Sequence, residues 1–213
     1  MSTWTSRGRA PAALAALAGL AACVMPGPSG GGGATALPVA GGAVTIAGPP
    51  GYCADRAGSR DDGTRAFVLL GSCAALAPGP FATGPANPAI LTASVLGQGL
   101  AGGEPMGAVL PEMARFFGSA EGRAALSRAG RAATVEVAGV ERSADTLFLR
   151  VRDTAPMAGV AVEPEYWRAV LLIRGRIVTL SVLAPAAAPL SAAGKRATLD
   201  AFVARVRRAS GSA

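Results

Sequence analysis

The stretch YWRAVLLIRGRIVTLSVL, residues 166–183, decides the fold. Its two halves, Tyr166–Ile173 and Ile177–Leu183, are apolar, β-branched runs of strand length. Between them Arg174-Gly175-Arg176 makes a tight connection, in which Gly175 supplies the positive φ that such turns demand. Two antiparallel strands follow directly. Ser191 then caps a helix in which Leu199, Phe202, Val203 and Val206 recur at i, i+3, i+4, i+7. Arg205, Arg207 and Arg208 stand near its carboxyl end, where cations favour the macrodipole, and the tail from Ser210 to Ala213 is expected to fray.

Upstream of the hairpin the period is also two. Thr134–Val137 leads into Thr146–Arg152, where Leu147, Leu149 and Val151 alternate with Phe148, Arg150 and Arg152. Before that the period lengthens: Val109, Met113, Phe116 and Phe117 form one stripe of a helix over 109–129. Gly118-Ser119 interrupts it, Ser119 caps its second piece, and Gly130 is expected to end it. Earlier strands are predicted at Ala43–Ala47, Ala66–Gly71 and Ala89–Leu96, separated by Gly, Pro and Asp turn formers. Consecutive strands on short turns imply an α+β fold, an antiparallel sheet of about six or seven strands with two or three helices packed on it. This order of elements over residues 43–209, with the Tyr166–Phe202 hairpin-plus-helix unit, resembles the PsbP/Mog1-like fold, which also occurs in small bacterial lipoproteins. Members of that fold do many different jobs, so the resemblance implies no particular function.

A chain of 213 residues with 51% hydrophobic and 15% charged residues can bury one core, so a single domain is expected over 43–209. The net charge is +7, but the absence of histidine excludes more than the charge suggests. Without imidazole there is no Ser-His or Cys-His dyad and no His-ligated zinc, copper or haem. The arginines are scattered rather than interleaved with aromatics, which argues against a nucleic-acid partner. No cofactor is implied.

Residues 1–22 read as a signal peptide, with Arg7 and Arg9 in a positive n-region and an apolar run from Ala10 to Ala22. Leu20-Ala21-Ala22-Cys23 at its end resembles the lipobox of bacterial lipoproteins, in which the peptidase cuts just before a cysteine whose thiol already carries a diacylglyceryl group. The resemblance implies lipidation of Cys23 and anchorage in the cell envelope. Val24 in place of the Asp that favours inner-membrane retention implies the outer membrane, facing the periplasm. An ordinary secretory signal cut near Ala22 is the alternative. Residues 23–42, with Pro26, Pro28 and the run Gly30–Gly33, read as a flexible linker.

Three cysteines in an exported chain divide into one lipidated residue and one pair, Cys53 with Cys73. A structural disulfide clamping two neighbouring strand ends is the main reading. A redox-active pair is the alternative, but the spacing is not Cys-x-x-Cys and no cation adjoins either thiol to lower its pKa.

Several constellations could carry chemistry. Gly97-Gln98-Gly99-Leu100-Ala101-Gly102 matches G-x-G-x-x-G, yet Glu104-Pro105 delays the helix and the strands are not in βαβ order, so it reads as a loop. Asp55, Asp61 and Asp62 could offer oxygens to a hard cation, but no EF-hand spacing exists and turns explain them. Glu163 and Glu165, two apart on a strand, give one carboxylate environment rather than the opposed pair glycoside chemistry needs. Lys195, Arg196, Arg205, Arg207 and Arg208 read as the charged outer face of the last helix. Tyr166, Trp167 and Arg168 are the densest group of contact-capable side chains and the candidate interaction site. Alternation puts Tyr166 and Arg168 on one face and Trp167 on the other, with Trp167 expected in the core and its neighbours at the surface. Together these features favour a non-enzymatic, membrane-anchored protein that binds an envelope partner protein or a small ligand. The alternative is a cell-envelope hydrolase using carboxylate or serine chemistry, disfavoured because neither G-x-S-x-G nor S-x-x-K occurs.

Overall fold

The computed structural model describes residues 33–80, 83–157 and 159–212. Its strands are β1 (Ala36–Val39), β2 (Val44–Ala47), β3 (Tyr52–Asp61), β4 (Ala66–Ser72), β5 (Ile90–Val95), β6 (Val135–Ser143), β7 (Thr146–Asp153), β8 (Val162–Ile173) and β9 (Arg176–Pro185). The helices are α1 (Cys73–Leu76), α2 (Met106–Gly118), α3 (Ala120–Leu126) and α4 (Ala192–Ala209). Seven strands form one antiparallel sheet in the order β3-β4-β5-β9-β8-β7-β6, and β1 pairs β2 in a separate two-stranded sheet. The fold is α+β.

The β8–β9 hairpin closes as the sequence predicts. Ile173 pairs with Arg176, leaving Arg174 (φ 47°) and Gly175 (φ 74°) as the two turn residues. Positive φ at both central positions is the type I′ signature, whose twist matches that of the strands it joins.

Alternation along these strands builds a core on each face of the sheet. On one face Val68, Leu91, Trp167, Ala169, Leu171, Leu180 and Val182 meet Leu199, Phe202, Val203 and Val206 of α4. Val39, Val44 and Ile46 of the β1–β2 hairpin complete that layer. Burying each large apolar side chain contributes about 1.5–3 kcal/mol, so α4 is held by its apolar stripe. On the other face α2 and α3 pack on β6 and β7, with Met106, Leu110 and Leu126 over Leu147, Leu149, Val151 and Tyr166. They leave the β4–β5–β9 half of that face without a helical cover.

Several expectations are corrected. The segment read as linker up to residue 42 contains β1, because Leu37 and Val39 alternate towards the core and pair with Ile46 and Val44. β3 was not expected: it is an edge strand, buried only at Tyr52, Cys53 and Ala54, and its register shifts between Asp55 and Arg60. α3 ends at Leu126 rather than Gly130. Its cap is as predicted, Ser119 Oγ accepting from the Gly122 amide at 3.1 Å, and Ser191 Oγ accepts likewise from Gly194 at 3.0 Å. Ser210, placed in the fraying tail, is buried, and its Oγ accepts from the Thr45 amide at 3.0 Å.

The outer face of α4 is also less open than its charges suggest. Arg205 and Arg208 are exposed, but Lys195 is buried and Arg196 stacks 3.9 Å over the Phe148 ring centroid and 5.1 Å over Trp167. Arg207 reaches Asp145 at 2.5 Å and Thr146 Oγ1 at 2.7 Å. Long side chains here lay their stems on apolar surface and find partners on β7, on β8 and in the β6–β7 turn.

Candidate functional site

Residue parity on β8 sends Tyr166 and Arg168 to the face carrying α2 and α3, and Trp167 to the face carrying α4. Trp167 fills the core as expected. Tyr166 does not lie at the surface: it is 2% exposed, because α3 closes over it and its hydroxyl donates to the Leu126 carbonyl at 2.7 Å.

Sheet register then assembles a row across the open half of this face. Arg168 stands opposite Ser181 on β9, Ser181 opposite Thr92 on β5, and Thr92 opposite Leu69 on β4. Arg168, Ser181 and Thr92 of this row floor a cleft of about 180 Å³, walled by Leu126, Ser127 and Arg128 at the end of α3, with Met157, Leu183 and Phe67 completing it. Phe67 is 37% exposed.

Two guanidinium groups face the Tyr166 ring, Arg168 at 5.4 Å from its centroid and Arg128 at 5.6 Å. Their situations differ. Arg128 is committed to backbone: its Nη1 donates to the Asp153 and Ala155 carbonyls at 3.3 and 3.1 Å, and its Nη2 to the Glu163 carbonyl at 3.0 Å. Burial pulls its pKa down, opposed by the Asp153 charge, and its Nε is buried without a partner among the described residues. The Asp153 carboxylate is likewise occupied, accepting from the Arg128 amide at 2.6 Å and the Ala155 amide at 2.9 Å. Arg168 gives only its Nε, to Ser181 Oγ at 3.0 Å. Among the described residues no carboxylate pairs with it, so its terminal nitrogens are available to the cleft. Burial pushes the Tyr166 phenol up, which keeps that ring neutral at physiological pH.

The other candidates resolve into structural roles. Cys53 on β3 and Cys73 at the start of α1 have their sulfurs at bonding distance and their Cα atoms 4.8 Å apart. Asp55 accepts from the Ala57 and Gly58 amides, Asp61 from Ala40 and Gly63, and Asp62 from Thr64 and Arg65, each carboxylate closing a turn. Glu163 and Glu165 share one environment, as expected, since both face Lys195 Nζ, at 2.9 and 3.8 Å, while Arg150 holds Glu165 at 2.7 Å. Among the described residues no three of His, Cys, Asp and Glu gather to hold a metal. Gly97–Gly102 is a loop leading into a short 3₁₀ turn, packed against the β8–β9 turn. Cys23 and the signal segment lie outside the described residues.

The sequence reading thus found two residues of the cleft, Tyr166 and Arg168, and missed Thr92, Ser181 and Arg128. Thr92 and Ser181 carried a weak signal, as polar residues on the mostly apolar strands β5 and β9, shared with Ser94 and Thr179. Arg128 carried none.

No family model matches the chain, and no curated protein or solved structure matches it significantly.

Proposed function

We propose that this chain is a non-enzymatic lipoprotein of the bacterial cell envelope, anchored through lipid on Cys23, probing the periplasm from the outer membrane and acting by binding at the Arg168 cleft. The observation that carries the binding reading is Arg168 itself, a half-buried guanidinium fixed by Ser181 and Tyr166 with its terminal nitrogens uncommitted. A side chain held so firmly by its inner end and left open at its outer end is pre-organised for a ligand rather than for the fold. The envelope address rests on Leu20-Ala21-Ala22-Cys23, and the Cys53–Cys73 pair suits an oxidising compartment.

Binding is favoured over hydrolysis because Asp153, whose carboxylate lies beside Arg128, is taken by two amides, and Glu163 and Glu165 are turned to Lys195 on the α4 side of the sheet. None is left as a general base.

Intact mass of the protein from native membranes tests the address. A chain beginning at Cys23 with acyl mass added is the expected result, and Cys23→Ser should abolish membrane association; an unacylated mature chain overturns the anchor. For binding, small-molecule extract of the envelope should shift amide resonances of Arg168, Ser181 and Thr92. Unchanged resonances overturn the cleft as a binding site.

A further inference from the structure

We infer that the ligand of the Arg168 cleft is a small monocarboxylate with a short apolar body, an inference that rests on the binding reading above. The charge comes first. Arg168 offers one free edge of a planar guanidinium, the geometry that pairs with a carboxylate through two parallel hydrogen bonds. Its orientation is set by Ser181 Oγ at 3.0 Å and the Tyr166 ring at 5.4 Å, so little entropy is lost on pairing.

Hydroxyls supply the remaining donors. Ser181 accepts from Arg168 and keeps its own proton to give, and Thr92 lies directly across the strand pair from it.

The number of charges is also decided. Arg128 raises the positive potential beside the same ring, but its outer nitrogens are spent on three carbonyls. One free fork neutralises one negative charge, and a dianion such as phosphate would bring a second charge into the cleft with nothing to pair it.

The rest of the lining is apolar. Leu126, Leu183, Met157 and Phe67 surround the polar row and would receive a hydrocarbon body. At about 180 Å³ the cleft is smaller than the roughly 300–1,000 Å³ of sites for drug-sized ligands, which limits that body to a short branched chain or a single small ring.

Such a carboxylate occurs as a free acid or as the terminus of an acylated amino acid, and the two are separated by experiment. The full chain, purified in detergent, is titrated at low salt with 3-methylbutanoate and with N-acetyl-leucine, followed by calorimetry and by amide resonances of the cleft. 3-Methylbutanamide and inorganic phosphate serve as controls. At least one carboxylate should bind saturably and the amide about tenfold more weakly or worse. Tighter binding of 3-methylbutanoate marks a free acid as the source, and tighter binding of N-acetyl-leucine an amino-acid terminus. Arg168→Gln should lower carboxylate affinity about tenfold with an unchanged melting temperature, and Arg168→Lys should restore part of it. Equal binding of acid and amide, or preferential binding of phosphate, overturns the ligand class while leaving the cleft a binding site. Failure of every probe to move a cleft resonance overturns the carboxylate inference, and the binding reading falls with it only if envelope extract also leaves those resonances unchanged.

Discussion

Lys195 Nζ lies 2.9 Å from Glu163 Oε2, with the lysine side chain 2% exposed and the glutamate 24%. The ammonium is sealed between α4 and β8 while its partner keeps contact with water. That asymmetry decides which side of the pair is costly to remove. Glu163→Ala leaves a buried ammonium with only Glu165 at 3.8 Å, itself held by Arg150. A loss of about 3 kcal/mol is expected, the lower end of the range for breaking buried pairs because Glu165 remains. Lys195→Met fills the same space without charge and should cost about 1 kcal/mol or less. Urea unfolding of both variants checks this, and a larger loss for Lys195→Met than for Glu163→Ala would contradict it.

Acid should destabilise the protein, in part through two carboxylates that the fold holds below their ordinary pKa. Burial alone would raise the Glu163 pKa, but the Lys195 and Leu190 hydrogen bonds and the Lys195 charge outweigh it and hold the group below its ordinary 4.5. Burial likewise opposes, and the Arg128 and Ala155 amides, the Thr134 hydroxyl and the Arg128 charge outweigh, so that Asp153 lies below its ordinary 3.8. Each folded-state pKa is depressed, so the unfolded chain binds more protons between the two values. The stability they contribute is complete above about pH 5 and is lost as pH falls through the folded values. The urea midpoint should therefore drop below pH 4.5, and Asp153→Asn with Glu163→Gln should flatten the drop. An equal slope in that double variant would assign acid sensitivity elsewhere.

Reduction should weaken the β3–β4 edge. Cys53 and Cys73 are 20 residues apart in sequence, and closing a loop of that size contributes about 3 kcal/mol in the chain-entropy model. For a domain of this size that corresponds to a melting temperature lower by roughly 6–12 °C. Calorimetry with and without a phosphine reductant measures it, with Cys53→Ser/Cys73→Ser expected to match the reduced protein. A melting temperature insensitive to reduction would remove the clamp.

What was readable in advance follows from how each element is stabilised. β8 and β9 carry long apolar runs because they lie in the middle of the sheet, under α4 on one face and beside α2 and α3 on the other, and Gly175 marks their turn, so that unit was legible. β3 was not, since an edge strand needs only one buried end, and Asp55, Gly58 and Ser59 look like loop. β1 hides in Gly- and Pro-rich sequence because four residues suffice when a neighbour supplies the ladder. The Arg168–Ser181–Thr92 row was half legible: its members sit on predicted strands, but their alignment is set by register between strands distant in sequence. Arg128 was invisible because its partners are carbonyl groups, which every residue has.

The Gly97–Gly102 loop and the β8–β9 turn approach each other closely at Gly99. A Cβ built on Gly99 would lie 2.1 Å from the Gly175 carbonyl oxygen, inside the van der Waals boundary. The neighbouring contacts leave little room to yield, since the Leu96 amide donates to the Ile177 carbonyl at 2.9 Å and Arg176 donates to the Gly97 carbonyl. Gly99→Ala must push this loop off the hairpin turn, at about 1–3 kcal/mol. Gly118 is the contrasting case, at the end of α2 with nothing within 4 Å of an added Cβ. There alanine removes unfolded-state freedom at no steric cost, so Gly118→Ala should stabilise by about 0.4–1 kcal/mol. Urea midpoints moving in opposite directions for the two variants are the expected result. If Gly99→Ala were as well tolerated as Gly118→Ala, the loop would not be seated on the turn as the structure has it.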